Sequence, residues 1–445
     1  MHTLEQLRAG QLAGVQRLQM SCGLTEFPQE IFDLADTLEI LDLSGNALSS
    51  LPDDLPRLHK LRVVFCSANQ FTTLPVVLGA CPALTMIGFK SNQIREVPAA
   101  ALPPDLRWLI LTDNRVEELP AAIGRCGQLQ KLMLAGNRLS ALPRELAACS
   151  RLELLRIAAN RLAELPVWLL DLPRLSWLAY AGNPFCEADE LAAEAGAGIA
   201  GIAWDRLQFQ QKLGEGASGV IHQAALRQAD GERAVAVKMF KGAVTSDGLP
   251  RCEMMACVGS GEHPNLIPVL GEVCDHPEGA KGCVMPLIDP GFGNLAGPPS
   301  LDSCTRDTYP DGKRFSPAEL FGIAGGIASA ARHLHERGIM HGDLYGHNIL
   351  HCGQGRSLLG DFGAASLFAV DGPQASALQR LEVRAFGFLL EELMQRCDAP
   401  DAFRPALERL AALKTACLSA DAAARPSFAE LEARMRRDAL EAAPV

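Results

Sequence analysis

An asparagine returns down the first half of this chain at a nearly constant step: Asn46, Asn69, Asn92, Asn114, Asn137, Asn160 and Asn183. The step is 23 residues, with a single step of 22. Around Asn46 lies the frame Leu38-x-x-Leu41-x-Leu43-x-x-Asn46-x-Leu48-x-x-Leu51-Pro52, and it recurs from Leu61, Leu84, Leu106, Leu129, Leu152 and Leu175. A slightly shorter copy runs from Val15 to Pro28 with Cys22 near the Asn position, which makes eight repeats in all. A fixed period of this length means stacked copies of one structural unit, because no single copy can bury its apolar face alone. A row of amphipathic helices at the same spacing would leave both the Asn column and the recurring Leu-Pro unexplained.

The pattern resembles leucine-rich repeats of the L-x-x-L-x-L-x-x-N-x-L-x-x-L-P type, over residues 15–186. That resemblance implies an α/β solenoid, the leucine-rich-repeat horseshoe. Each copy turns once and places a short strand such as Leu41-Asp42-Leu43 on the inner wall, with its leucines in a continuous core. A buried Asn side chain can satisfy backbone groups that a tight turn leaves open, so the column is expected to tie successive coils together. Residues 1–14 read as an N-terminal helical cap, and the Ala/Gly-rich residues 187–205 as a second cap and linker.

Side chains alternate along a strand, so the residues between the core leucines face the inner wall. There the repeats place Val63 and Phe65, Met86, Trp108 and Ile110, Met133, Leu154 and Trp177, an apolar run flanked by Lys131 and Arg156. A contiguous apolar surface marks an interaction site, and aromatic anchors dominate such sites. The expectation is a protein partner at the concave face, held by Phe65, Trp108 and Trp177. The alternative is that the rest of the molecule covers the stripe.

The second half carries a different signal. Leu213-Gly214-Glu215-Gly216-Ala217-Ser218-Gly219-Val220-Ile221 contains G-x-G-x-x-G. Val235-Ala236-Val237-Lys238 follows as a strand-like run ending in lysine, and Glu253 lies in a helix-like stretch. Then come HPNLIPVLG, HGDLYGHNIL, DFGAAS and CLSADAAARPSFAEL, in that order. The ordered set resembles the protein kinases, over residues 206–440, and implies an α+β bilobal domain.

The resemblance implies ATP and Mg²⁺ as cofactors, and roles for individual residues. Residues 213–221, with Gly214, Gly216 and Gly219 allowing close approach of backbone N–H groups, would cover the triphosphate. Ile221 and Ala236 would flank the adenine, and Met285, Pro286 and Ile288 would form its hinge. Pro286 falls where only a carbonyl acceptor is needed, while Ile288 keeps the N–H its position requires. Lys238 would contact the phosphates and be held by Glu253. Asp343 would orient the acceptor hydroxyl, with Asn348 and Asp361 as hard oxygen ligands of the metal. His341, Phe362 and Arg425 read as structural supports.

Three features depart from the kinase pattern. Gly342 replaces the arginine that in most regulated kinases grips a phosphorylated activation segment, so the domain reads as non-RD. Tyr345 stands where Ser/Thr kinases carry lysine, and His347 where tyrosine kinases carry arginine. The span from Asp361 to Glu382 is short, lacks A-P-E, and is expected to end where a helix begins at Glu382. The residues imply a protein kinase of Ser/Thr type, with a protein substrate recruited by the repeats. An atypical or small-molecule phosphotransferase and a non-catalytic scaffold remain as alternatives. The glycine- and proline-rich stretch 289–314 reads as a loop.

The formal net charge of −11 argues against a nucleic-acid partner. No apolar run approaches the roughly 18 residues of a membrane span, and residues 1–10 lack a signal-peptide pattern. The 14 cysteines contain no C-x-x-C pair, and Cys81, Cys126 and Cys149 share one repeat position suited to a small buried hydrophobe. These features predict a reducing, cytoplasmic setting.

Overall fold

The computed structural model describes residues 1–441 apart from Ala197, Ile199, Ala217, Ala243 and Ser246. The chain forms two compact units. One comprises Met1–Arg174 with Asn183–Phe185, the other Leu175–Gly182 with the residues from Cys186 onward.

The first unit is a leucine-rich-repeat solenoid. Its short helix α1 (Leu4–Arg8) starts in a capping box between Thr3 and Gln6. Seven three-residue strands follow: β1 (Arg17–Gln19), β2 (Ile40–Asp42), β3 (Val63–Phe65), β4 (Met86–Gly88), β5 (Trp108–Ile110), β6 (Lys131–Met133) and β7 (Leu154–Arg156). They pair in parallel and in chain order, with the middle residues Leu18, Leu41, Val64, Ile87, Leu109, Leu132 and Leu155 in register and fully buried. The Leu-Pro signature has a local cause. Pro28, Pro75, Pro98, Pro120 and Pro143 each precede a 3₁₀ turn on the other side of the coil, with φ between −60° and −68°. Proline is preset to that φ and has no N–H to leave unsatisfied there. Pro166 does the same for the short helix α2 (Val167–Leu170).

The asparagines make the expected ladder. Asn137 Oδ1 accepts from Val116 N at 2.9 Å, while its Nδ2 donates to Leu111 O at 2.8 Å and Leu134 O at 3.0 Å. Asn69, Asn92, Asn114, Asn160 and Asn183 repeat the cross-coil pair one step along. Cys81, Cys126 and Cys149 are buried, as their shared position requires.

The inner wall differs from the expected open apolar stripe. Val63, Met86 and Leu154 are buried, as are the flanking Lys131 and Arg156. Phe65, Trp108, Ile110 and Met133 are half-buried. Part of the reason is that side chains lie along the wall rather than standing off it. The Phe65 ring fills the space above Gly88, and Lys131 Nζ sits 4.5 Å from the Trp108 ring centroid. Trp177 belongs to the second unit and is 1% exposed, so it offers no surface to a partner.

The second unit contains strand β8 (Trp177–Ala179), helix α3 (Glu187–Gly196) and strand β9 (Gly201–Ala203). Strands β10 (Leu207–Glu215), β11 (Gly219–Gln228), β12 (Gly231–Phe240), β13 (Gly271–Cys274) and β14 (Gly282–Pro286) follow. The sheet order is β10-β11-β12-β14-β13-β9, so part of the stretch read as linker is an edge strand, parallel to β13. Helix α4 (Pro250–Gly259) lies between β12 and β13 in the chain. The remainder is mostly helical: α5 (Pro317–His335), α6 (Ala375–Gln395), α7 (Arg404–Cys417) and α8 (Phe428–Glu441). Three small antiparallel pairings complete it: Ile349–His351 with Ser357–Leu359, Ile339–Met340 with Ser366–Leu367, and Gly293–Asn294 with Leu350–His351, so the stretch 289–314 is not wholly loop. Among the described residues, no helix is long and apolar enough to cross a membrane.

The ladder makes a graded prediction. Replacing Asn137 by alanine strands the buried Val116 N–H and takes one of two side-chain donors from Leu111 O and Leu134 O, which keep Asn114 and Asn160, so it should cost about 2 kcal/mol. Replacing the half-exposed Asn46 should cost clearly less, since water can take over its bonds. Urea titration of the two variants checks the order; equal losses would contradict it.

Candidate functional site

Three strands and one helix set the upper wall of a cleft. Strands β10 and β11 meet at the glycine-rich turn, where Gly216 N donates to Gly219 O at 2.9 Å. A Cβ at Gly219 would lie 2.6 Å from Met239 O, so the close approach of β12 demands glycine there. At Gly214 and Gly216 a Cβ would meet nothing within 4 Å, which leaves their backbone open to a ligand. Glu215 pairs with Lys212 and Lys241, and those two lysines hold its carboxyl down to about 2. Leu213 is exposed, Ser218 buried, and Val220 and Ile221 half-buried. Ala217 lies outside the described residues. Ala236 pairs with Met285 and Val235 with Pro286, which sets the hinge beside the small residue; Ile288 follows the strand.

Lys238, next to Val237 on β12 and on the opposite face of the sheet, is 7% exposed. Its Nζ bonds the carboxylate of Glu253, presented by α4, and lies 3.2 Å from Asp361 Oδ1. Burial opposes the ammonium charge, but Asp361 and Glu253 outweigh it and raise its pKa above the ordinary lysine range. Burial pushes the Glu253 carboxyl up to about 7, against the pull of Lys238. Lys238 is the charge that stays, because both carboxylates face it. Asp361 is half exposed and adopts φ +56°, a left-handed conformation.

The lower wall is the loop from His341 to Asn348. Asn348 Nδ2 donates to Asp343 O at 2.8 Å and Asp343 Oδ2 at 2.7 Å, leaving Oδ1 as the amide's acceptor. Gly360 N donates to Asn348 O at 3.0 Å, and His341 Nε2 lies 2.9 Å from Gly360 O. These bonds bring Asp343, Asn348 and Asp361 to one place. His341 is buried against Phe362, ring centroids 5.1 Å apart, and is a support rather than a reactant. Buried Arg425 donates to Ser419 O and Arg380 O, also as a support.

Among the described residues, no group of three His, Cys, Asp or Glu could hold a metal by itself. Asp361 and Asn348 supply hard oxygen atoms only. That set fits Mg²⁺, which binds through one or two protein ligands and keeps its remaining positions for phosphate oxygens and water.

The segment after Asp361 differs from expectation. Helix α6 begins at Ala375, seven residues before Glu382, so the irregular part ends at Gln374. Glu382 sits inside the helix, where its Oε1 accepts from Gly342 N at 2.6 Å and its Oε2 lies 2.7 Å from His335 Nε2. It therefore anchors the lower loop from below.

The stretch 289–314 holds residues that the sequence reading missed. Asp307 Oδ2 accepts from His347 N at 3.0 Å, and its Oδ1 lies 2.7 Å from His347 Nδ1. Burial lowers the His347 pKa, but the bond to Asp307 and the Asp343 charge leave it raised overall. Tyr309 Oη donates to Glu392 at 3.0 Å, and Arg306 covers the Phe388 ring at 3.4 Å. The only available signal was the cluster Arg306-Asp307-x-Tyr309, polar and aromatic residues that a flexible loop does not need.

Residues 207–384 match the protein tyrosine and serine/threonine kinase family, and residues 37–58 match the leucine-rich repeat. The mitogen-activated protein kinase kinase mkk2 of Aspergillus fumigatus is 29% identical over 36% of this chain and 30% of its own. Ephrin type-B receptor 4a of Danio rerio is 31% identical over 32% of this chain and 14% of its own. Leucine-rich repeat and calponin homology domain-containing protein 1 of Mus musculus is 32% identical over 24% of this chain and 16% of its own. The chain thus spans less than a third of the length of each of these relatives.

Glu382 carries a pH prediction. Burial raises its carboxyl, but His335 and the Gly342 amide outweigh this and bring it below its ordinary value of 4.5. A depressed carboxylate stabilises the fold above its unfolded value, and that contribution is lost as pH falls through the folded one. Wild type should therefore lose stability more steeply below about pH 4.5 than Glu382→Gln does. Parallel acid-unfolding curves would refute the assignment.

Proposed function

We propose that this chain, a leucine-rich-repeat protein with a protein kinase domain, transfers the γ-phosphate of Mg-ATP to a protein Ser or Thr hydroxyl. The observation that carries the reading is the convergence of Lys238, Glu253, Asp343, Asn348 and Asp361 in one cleft. Phosphoryl transfer needs positioning and counter-charge more than covalent chemistry. Lys238, held by Glu253, would face the α- and β-phosphates. Residues 213–221 would cover the triphosphate with backbone N–H groups, and Ala236, Met285, Pro286 and Ile288 would hold the adenine.

Bound through Asp361 and Asn348, Mg²⁺ would supply positive charge to the phosphates. Asp343, steadied by Asn348, would accept a hydrogen bond from the substrate hydroxyl and take its proton as the phosphoryl group leaves ATP. The domains are assigned as a cap at 1–14, repeats at 15–186, a cap and linker at 187–205, of which Gly201–Ala203 joins the sheet of the second unit, and the kinase at 206–440. The repeats would recruit the protein substrate and raise its effective concentration at the cleft. The half-exposed Phe65 and Trp108 are the anchors that remain of the original three. A cytoplasmic setting suits the free cysteines, which include all 14.

Asp343→Ala should lower kcat by about 10²–10⁴ with little change in Mg-ATP affinity, whereas Asp361→Ala should abolish Mg-dependent ATP binding. Steady-state kinetics and calorimetry decide; an Asp361→Ala protein that binds and turns over like wild type would remove the site assignment. Gly342 and the short stretch from Asp361 to Gln374 also predict constitutive competence. Phosphatase-treated protein should keep its initial rate. A large loss restored by preincubation with ATP would contradict this.

A further inference from the structure

The strand that the repeat frame assigns to its last copy is built into the second unit. Trp177 Nε1 donates to Leu344 O at 3.1 Å, one residue after Asp343. Its ring stacks on Tyr345 with centroids 4.2 Å apart and planes 6° from parallel, and a second face meets Phe388 at 5.5 Å. Three and four residues on, Tyr180 N and Ala181 N both donate to Ser366 Oγ, at 2.9 and 3.2 Å. Tyr180 Oη donates to Leu367 O at 3.2 Å. Ser366 and Leu367 in turn pair with Ile339 and Met340, the residues that lead into the lower loop. One short segment therefore touches both the loop that carries Asp343 and the stretch that follows Asp361.

Gly342 shows how closely the segment fits. Its φ is +73°, and a Cβ there would collide with Ala364 O and lie 2.8 Å from Leu178 O. The backbone of residues 178 and 364 fills the place where a side chain at 342 would begin. An arginine that grips a phosphorylated segment has no room here, and the two stretches it would have bridged are already joined through Trp177 and Ser366.

We propose that residues 175–182 are a positioning element of the phosphotransfer site. Trp177 fixes the loop at Leu344 and Tyr345, and the Tyr180 and Ala181 amides fix the segment after Asp361 at Ser366. These neutral contacts hold the two stretches together permanently, without a phosphate. Ser366 is 1% exposed and its oxygen is already an acceptor for two amides, so it is a structural joint and not a modification site. Stacking on Tyr345 also explains why that position is aromatic rather than lysine: the side chain is turned into the joint, 5% exposed.

The proposal rests on the kinase reading, and the test separates the two. Wild type, Trp177→Phe and Trp177→Ala, each as the whole 445-residue chain, are compared for kcat, KM for ATP, Mg-ATP binding stoichiometry, and hydrogen exchange of the amides from Gly342 to Asn348. A misplaced catalytic loop costs rate rather than nucleotide affinity, so Trp177→Ala should lose about 10²-fold in kcat with KM for ATP and stoichiometry unchanged. Trp177→Phe keeps the stack and should recover most of the rate. The loop amides of Trp177→Ala should exchange at least about tenfold faster, because the contact that protects them is gone. A Trp177→Ala protein with wild-type kcat overturns the proposal, as does a loss of stoichiometry in step with kcat. If wild type transfers no phosphate at all, the kinase reading fails; the exchange arm still decides this one, and unchanged protection of residues 342–348 overturns it.

Discussion

A lysine ammonium held almost out of water sets the terms for everything around it. Lys238 is buried, and a buried charge persists only with partners that offset its lost hydration. Glu253 and Asp361 are those partners, and each constrains a different part of the fold. Glu253 requires α4 to present its first turn to β12. Asp361 requires a left-handed residue between Gly360 and Phe362, and so dictates the bonds from Gly360 to Asn348 and His341. Removing Glu253 from its buried pair with Lys238 typically costs about 3–5 kcal/mol, more than one well-packed leucine contributes. The site is therefore also a structural keystone, which is why its residues come from four separate stretches of chain.

Much of this was legible in the sequence, for a physical reason. The repeats announce themselves because each solves the same local problem, so Leu18, Leu41 and Val64 or Asn69, Asn92 and Asn114 recur in step. The cleft residues are legible because they sit in short motifs that follow one another in a fixed order. The helix start at Ala375 was missed because Gln374 offers no capping side chain and nothing local separates it from the preceding turn. Asp307 and Glu382 were invisible as partners of His347 and Gly342, since those pairs lie 40 residues apart and follow from tertiary packing alone. Trp177 was misread for the same reason. Its place in the repeat frame predicts an inner-wall residue, and only long-range contacts bury it against Leu344 and Tyr345.

The departures from the kinase pattern form one arrangement rather than three accidents. Glycine at 342 makes way for the Leu178 carbonyl, tyrosine at 345 completes a stack with Trp177, and histidine at 347 is tied to Asp307. Each replaces a side chain that elsewhere faces substrate or a phosphorylated loop with one engaged in packing. The lower loop is gripped by Glu382 from α6, by Asp307 from the 289–314 stretch, and by the segment 175–182. On the proposed reading, fixed packing takes the place of charge-based switching around Asp343, Asn348 and Asp361.

The central claim, transfer of a phosphoryl group to a protein hydroxyl, is tested most directly by following the label. The 445-residue protein is incubated with Mg²⁺ and γ-labelled ATP, together with a generic protein substrate and an excess of small alcohols, and the labelled products are separated and identified. The account predicts label in acid-stable phosphoester linkage to Ser or Thr of protein, none from α-labelled ATP, and labelling slowed by about 10² or more when Asp343 is replaced by alanine. Label found only in inorganic phosphate or in the small alcohols, or equal labelling by the Asp343→Ala variant, would contradict it.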